Sequence, residues 1–284
     1  MSPDSLSVIV RAGQYLSLLQ AAGTVLFLLQ FGRALDASRR RVRTLGSVTA
    51  LVAMPLAVAH LLLDAARMSG DYRGMSDPAL LRLAFYSGSG AVHVLQLAGL
   101  VLIVAGLRRE NRPAVAGVGA ALAILAFPLT GHTSVHALRA LLAPLLALHV
   151  ALVAWWLGAL APLVLALRTE PLPAAERLLR RFSASAGWLV PLIPVAGVAM
   201  SVVLLPDASA LLRPYGRLLI AKLAGFGLLM GLAALNRWRW VPMLSTDGMR
   251  ARAALQRSVV FEYVLVASVL ALTATLTTFY SPEH

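Results

Sequence analysis

Long apolar runs recur along the whole chain and are separated by short polar connections. Each run is about 20 residues long and carries few charges, which suits a helix that crosses roughly 30 Å of hydrocarbon. Every span should be helical, because backbone polar groups in a bilayer must be satisfied within the segment. We predict eight transmembrane helices, over residues 8–32, 45–66, 83–107, 113–130, 139–167, 186–206, 216–236 and 259–280.

Composition supports an all-α integral membrane protein. The 284 residues are 59% hydrophobic and only 13% charged, about half the charged fraction of a soluble domain. No long linker or low-complexity tract interrupts the chain, so we expect one polytopic domain over residues 1–284. Residues 1–130 would hold helices one to four, and residues 131–280 helices five to eight. The N-terminus lacks a basic segment and a cleavage site, so the first span should be a retained helix.

The net charge of +13 is distributed unevenly between the two sides of the membrane. The connections 33–44, 108–112, 168–185 and 237–258 hold seventeen arginines, whereas the connections and ends on the other side hold seven. The positive-inside rule makes the arginine-rich side cytoplasmic and places both termini on the outer side. The charge therefore indicates topology, and we expect no nucleic-acid partner.

This topology gathers the histidines on the outer side. His60, His93 and His149 lie in spans two, three and five, about 6–15 Å below the outer surface at 1.5 Å per residue. His132 and His136 lie above them in the loop GHTSVH. Ionisable groups within a membrane suggest a functional site, although a single histidine often only joins two helices.

Imidazole is a ligand for copper, zinc, iron and nickel. We therefore predict a metal site in which His60, His93 and His149 bind the ion. Met200, in the outer part of span six, would add a soft fourth ligand. His132 and His136 would capture the metal at the mouth. Low pH should weaken this binding, since protonated imidazole cannot ligate a metal.

Five further polar residues are assigned supporting roles. Asp64 follows His60 by four residues and either orients that ring or pairs with Arg67. Gln96 shares a helix face with His93. Lys222 either snorkels outward or pairs with Asp64. Near the inner end of the last span, Glu262 would pair with Arg237 or, as the alternative, bind the metal as it leaves.

Missing motifs narrow the function. The chain has no cysteine, which excludes a thiolate metal site and a disulfide framework. It also has no nucleotide-binding P-loop and no H-E-x-x-H pair. We therefore expect a protein that is not an enzyme and does not hydrolyse ATP.

Residues 131–280 resemble the CopD/PcoD copper-resistance membrane family. The resemblance rests on Gly131-His132, HVALVAWWLGALAPLV, Tyr215-Gly216-Arg217, Lys222, Asn236-Arg237 and Glu262, in that order. The first half fits in its number of spans but shows no strong motif. The resemblance implies an inner-membrane protein that moves copper from periplasm to cytoplasm, often beside a periplasmic copper-binding partner.

Two other functions fit the histidines. In a b-type haem protein that transfers electrons, His93 and His149 would be the axial ligands. Alternatively, the chain holds a periplasmic copper protein at the membrane and transports nothing. Separately, QLAGLVLIVAGLRR from Gln96 parallels KLAGFGLLMGLAALNR from Lys222. This similarity favours two parallel four-helix halves, an arrangement found in transporters.

The predicted orientation can be checked with topology reporters. A reporter fused after His284 or inserted at Gly74 should be active only in the periplasm, and one inserted at Asp247 only in the cytoplasm. Cytoplasmic activity at His284 or Gly74 would reverse the depth of every histidine in the spans.

Overall fold

A computed structural model describes residues 2–109, 112–204 and 214–279, without the side chains of His132, Thr133, Pro214 and Tyr215. These residues form helices and no strand. The α-helices, in chain order, are α1 (Pro3–Phe31), α2 (Arg39–Ser69), α3 (Pro78–Tyr86), α4 (Gly88–Arg108), α5 (Pro113–Leu125), α6 (His132–Val135), α7 (Arg139–Thr169), α8 (Leu172–Leu189), α9 (Leu192–Leu204), α10 (Pro214–Leu235), α11 (Val241–Met243) and α12 (Gly248–Phe279). Short 3₁₀ helices lie at Gly32–Ala34, Tyr72–Ser76 and Phe127–Leu129, and Asn236–Trp240 forms a π-helical turn.

The predicted all-α, multi-pass membrane fold is confirmed. Within the described residues, seven helical segments are long and apolar enough to cross a bilayer. The fourth predicted span, 113–130, is a shorter apolar segment, Pro113–Leu129. The total of eight crossings, the orientation and the two-half arrangement stay predictions.

The third span begins later than the sequence pattern predicts. The predicted 83–107 divides at Ser87, because a separate helix, α3, ends at Tyr86. The Ser87 side chain then caps α4 by accepting a hydrogen bond from the backbone N–H of Gly90. His93 is therefore five residues into α4, about 7 Å along its axis, and not ten residues into a longer helix.

The sixth predicted span, 186–206, is the second half of a longer segment. The helix begins at Leu172 as α8 and breaks around Pro191, whose missing N–H and ring disfavour a continuous helix. The chain continues as α9 to Leu204. The change adds a helix that carries arginines to the arginine-rich end and leaves Met200 near the end of α9.

Hydrogen bonds define two ends of the bundle. At one end, Arg67 of α2 donates to the Asp4 carboxylate of α1 at 2.7 Å and to the Thr278 carbonyl of α12 at 3.0 Å. We call this end, which contains Asp4, Arg67 and Thr278, the mouth end. It is the end that the arginine distribution predicts to be periplasmic.

Glu170 organises the opposite, arginine-rich end. Its carboxylate accepts hydrogen bonds from the Ser38 hydroxyl at 2.5 Å and from the backbone N–H groups of Ser38 and Ala37. Burial disfavours the charged carboxylate, but these hydrogen bonds outweigh it and hold the pKa of Glu170 below its ordinary value. The stabilisation is therefore present at neutral pH and is lost as the pH falls through that lowered pKa. Arg252 of α12 donates to the Glu170 carbonyl at 2.8 Å, which ties α12 to the same junction.

Helices α1 and α7 cross in backbone contact at two glycines. A Cβ atom on Gly23 would collide with the Ala154 carbonyl and with Gly158, and a Cβ atom on Gly158 would collide with the backbone of Gly23. Small residues allow such close approach between membrane helices, where dispersion contacts replace the hydrophobic effect as the driving force. This crossing fixes the position of α1 relative to α7, and α1 carries part of the site described below.

Replacing Gly158 by Ala should destabilise the protein by about 1–3 kcal/mol or more. The added methyl group would collide with the backbone of α1, which cannot move away as a flexible side chain could. The measurement is thermal stability of the purified protein in detergent. Gly227→Ala is the matched control, since a Cβ atom there meets nothing within 4 Å. Equal stability of the two variants would contradict the close crossing.

Candidate metal site

Two histidines and one aspartate meet where α2 and α4 pack together. His60 and Asp64 share one face of α2, and His93 faces them from α4; potential ligand atoms of the three lie within 4.8 Å of one another. His60 Nε2 is 3.9 Å from one Asp64 carboxylate oxygen, and His93 Nε2 is 3.8 Å from the other. We call His60, Asp64 and His93 the His60 cluster. It lies in the half of the bundle nearer the mouth end.

A hydrogen bond between helices holds the aspartate in place. Ser89, one turn before His93 on α4, donates its hydroxyl to Asp64 at 2.6 Å. Arg67 instead donates to Asp4 and Thr278, and the alternative pairing of Asp64 with Arg67 is absent from the described contacts. Asp64 therefore faces the two imidazoles directly and offers an oxygen ligand beside their nitrogens.

Two glutamines fix the orientation of the His60 ring. His60 Nδ1 is 2.6 Å from the Gln14 carbonyl oxygen, and the Gln14 amide donates to Gln96 at 2.8 Å. A carbonyl oxygen only accepts, so Nδ1 carries the ring hydrogen of His60. The free lone pair is then on Nε2, the nitrogen that faces Asp64. Gln96, which the sequence places on the same face as His93, is buried. Its hydrogen bond to Gln14 connects it to His60.

Arg11 of α1 also contacts the cluster. Its Nε donates to His60 Nε2 at 3.0 Å, and one terminal nitrogen donates to the Thr277 carbonyl of α12 at 2.8 Å. Neither Arg11 nor Gln14 was predicted as a site residue. Their i, i+3 spacing in an apolar span was the available signal, since it places two polar groups on one helix face.

The cluster forms part of the wall of one large cavity. This cavity has a volume of about 820 Å³ and extends from Met68 and Gly131 at the mouth end to Trp156 and Leu229. It therefore reaches about 20–25 Å along the helices from their outer ends, at 1.5 Å per residue. Trp156 and Phe226 meet at this inner limit with ring centroids 5.9 Å apart.

His149 lies on the same cavity but outside the cluster. Its Nδ1 is 3.0 Å from the Ile193 carbonyl, which leaves Nε2 as the nitrogen able to bind a ligand. Met200, Lys222 and Ser201 also line the cavity. Within the described residues, no ion pair joins Lys222 to Asp64. The three histidines expected to share one ion are thus divided between the cluster and His149.

The mouth residues are only partly described. His136 is half-buried and its Nδ1 accepts the backbone N–H of Leu138 at 3.0 Å, which leaves its Nε2 for other contacts. The His132 side chain lies outside the described part of the structure, so its expected pairing with His136 stays a prediction. Gly131, just before it, lines the cavity.

The inner polar group differs from the expected arrangement. Glu262 is buried and accepts a 2.6 Å hydrogen bond from the Asn236 side chain in the π-helical turn. Arg237 points elsewhere and donates to the Ser183 carbonyl at 2.5 Å. The expected Glu262–Arg237 pair is therefore absent from the described contacts, because the π turn presents Asn236 to α12 instead of Arg237.

The donors of the His60 cluster fit a transition-metal ion. Two imidazoles and one carboxylate form a nitrogen and oxygen set, which suits Cu(II) or Zn(II) better than a hard ion such as Ca²⁺. His93 Nδ1 is buried and, in the part of the chain that the structure describes, has no hydrogen-bond partner. Such a group is costly unless a ligand or water satisfies it.

The chain is similar to known copper-resistance proteins along almost its whole length. Residues 1–138 match the family model described as copper resistance protein D-like, N-terminal domain, and residues 176–276 match the one described as copper resistance protein D. The chain is 31% identical to copper resistance protein D of Pseudomonas syringae pv. tomato over 306 residues, which cover 99% of this chain and 98% of that relative. No solved structure matches.

Asp64→Asn should lower the Cu(II) affinity of the purified protein by about 10- to 100-fold, because a neutral amide replaces a charged oxygen ligand at nearly constant volume. Affinity can be measured by competition with a chromogenic chelator. Glu176→Gln is the control, since it also neutralises one carboxylate, but on α8, where Glu176 pairs with Arg180 outside the cluster. Unchanged affinity in Asp64→Asn would exclude the carboxylate as a ligand.

Proposed function

Because the chain belongs to the copper resistance protein D family, we propose that it moves copper across the bacterial inner membrane, from periplasm to cytoplasm. Family membership indicates a role in copper resistance. The direction of movement and the path through the protein are the proposal. The observation that carries it is the His60 cluster in the wall of a cavity at the mouth end.

The cavity supports a path with more than one binding step. An ion captured near His132 and His136 would pass to the His60 cluster and then to His149 and Met200 on the same cavity. Each step replaces part of the hydration shell that the ion loses on leaving water. Several weak sites favour transport over storage, since an ion held too tightly cannot move on.

The ligands along this path differ in character. The His60 cluster combines imidazoles with a carboxylate, a set that favours Cu(II). Elsewhere on the cavity wall, His149 and Met200 offer an imidazole and a thioether, a pair of softer ligands without a carboxylate. We propose that the cluster is the main binding site and that His149 and Met200 serve the onward step.

Transport also requires an opening on the cytoplasmic side. Trp156 of α7 and Phe226 of α10 line the inner part of the cavity, and their rings are in contact. We propose that these two rings close the path toward the inner polar pair of Asn236 and Glu262. Movement of α10 relative to α7 would open this barrier, as alternating access requires.

The proposal predicts different effects for two histidine replacements. His93→Gln should abolish most bound copper and most uptake, because it removes a ligand of the main site. His149→Gln should retain copper at the cluster while uptake falls at least about tenfold, a loss of about 1.4 kcal/mol in transition-state stabilisation. The measurements are copper per purified protein and copper flux into proteoliposomes.

Gel filtration and melting temperature show whether each variant is folded. Full copper binding and flux in a folded His93→Gln variant would rule out the cluster as the site. Two outcomes favour other functions. A Soret band in the absorption spectrum would indicate haem, and copper binding without flux in proteoliposomes would indicate a non-transporting partner of a periplasmic copper protein.

A further inference from the structure

Arg11 occupies the position from which a metal ion would approach His60. Its Nε donates to His60 Nε2 at 3.0 Å, and that same nitrogen is 3.9 Å from the Asp64 carboxylate. Nε2 is the one ring nitrogen of His60 with a free lone pair, because Nδ1 carries the hydrogen directed at Gln14. A lone pair that accepts a hydrogen bond from Arg11 cannot bind copper at the same time.

We propose that Arg11 is a built-in competitor for copper, which must leave His60 before the His60 cluster can bind the ion. This inference rests on the proposed function of the cluster and adds a residue that sets its affinity. Arginine remains charged at every physiological pH, so the competition is permanent. In the copper-free protein the guanidinium supplies positive charge at His60 Nε2, which is 3.9 Å from the Asp64 carboxylate, and this lowers the cost of keeping that carboxylate in the membrane.

The competitor also accounts for how copper is released. A cluster of two imidazoles and a carboxylate in a low-dielectric setting would otherwise hold a divalent ion tightly. When Arg11 returns to His60, it takes up the lone pair that bound copper, and the ion loses one of its ligands. Arg11 therefore weakens binding and speeds the onward step, the condition that a transport site must meet.

The same arginine connects the cluster to α12. It donates to the Thr277 carbonyl in the last turn of that helix, where carbonyl groups lack intrahelical partners. Arg67 makes a similar bond to the next carbonyl, Thr278, and among the described contacts it has no hydrogen bond to His60. When copper displaces Arg11 from His60, the hydrogen bond that joins the cluster to Arg11 is broken, while the bond from Arg67 to the end of α12 persists.

The pair of arginines provides the test. In purified full-length protein, Arg11→Gln should bind Cu(II) about tenfold more tightly than wild type, since copper no longer displaces a cation; this corresponds to about 1.4 kcal/mol. Arg67→Gln should leave the affinity within about twofold of wild type. In proteoliposomes, Arg11→Gln should lower both KM and the maximal flux, and Arg11→Lys should shift both back toward wild type.

A charge-balanced background protects the test against misfolding. If Arg11→Gln alone does not fold, the double variant Arg11→Gln/Asp64→Asn keeps the net charge and should bind copper about tenfold more tightly than Asp64→Asn alone. Affinity in Arg11→Gln that equals or falls below wild type would overturn the competitor role and leave the copper site intact. Wild-type protein that binds no copper would instead overturn the proposed function itself.

Discussion

Polar side chains inside a bilayer must find their partners within the protein, and one network meets that constraint for this site. Gln14 on α1 accepts from His60 on α2 and donates to Gln96 on α4, and Arg11 joins His60 to the end of α12. Each hydrogen bond joins two different helices, so the polar groups are satisfied by the protein itself. The network therefore does two things together: it holds four helices in register, and it fixes Nε2 as the His60 nitrogen that carries the lone pair.

The division of the histidines has a geometric cause. His60 and His93 lie on helices that pack directly together, whereas His149 lies on α7, where its ring is held by a carbonyl of α9. All three histidines line a cavity of about 820 Å³, which is far larger than a bare ion requires. The volume suits a proposed path with two successive binding steps better than it suits one closed, three-histidine site.

The two ends of the bundle are held by different kinds of contact. At the arginine-rich end, the buried Glu170 carboxylate accepts hydrogen bonds from Ser38 at the start of α2. The backbone carbonyl of Glu170 accepts a further bond from Arg252 of α12. At the mouth end, α12 is held by long arginine side chains that reach its last carbonyl groups. Side chains of this kind exchange partners more readily than a buried, multiply bonded carboxylate. The proposed competition at Arg11 makes use of that difference.

The sequence alone determined the features that depend on one segment at a time. Apolar length identified the spans, and arginine counts indicated the orientation. Helix periodicity placed Asp64 on the face of His60 and Gln96 on the face of His93, and the motifs of the second half identified the family. The N-terminal half carried no motif that indicated the family, although it also matches a family model.

Only the tertiary structure decided which faces meet. Periodicity shows that His60 and Asp64 share a face, but not that Ser89 and His93 stand opposite them or that Arg67 turns to Asp4. Arg11 and Glu262 likewise gained their partners from other segments of the chain. The rotation of each helix about its axis depends on contacts between residues far apart in sequence, such as the close crossing of Gly23 and Gly158. Because that information is shared between two helices, no single apolar span contains it.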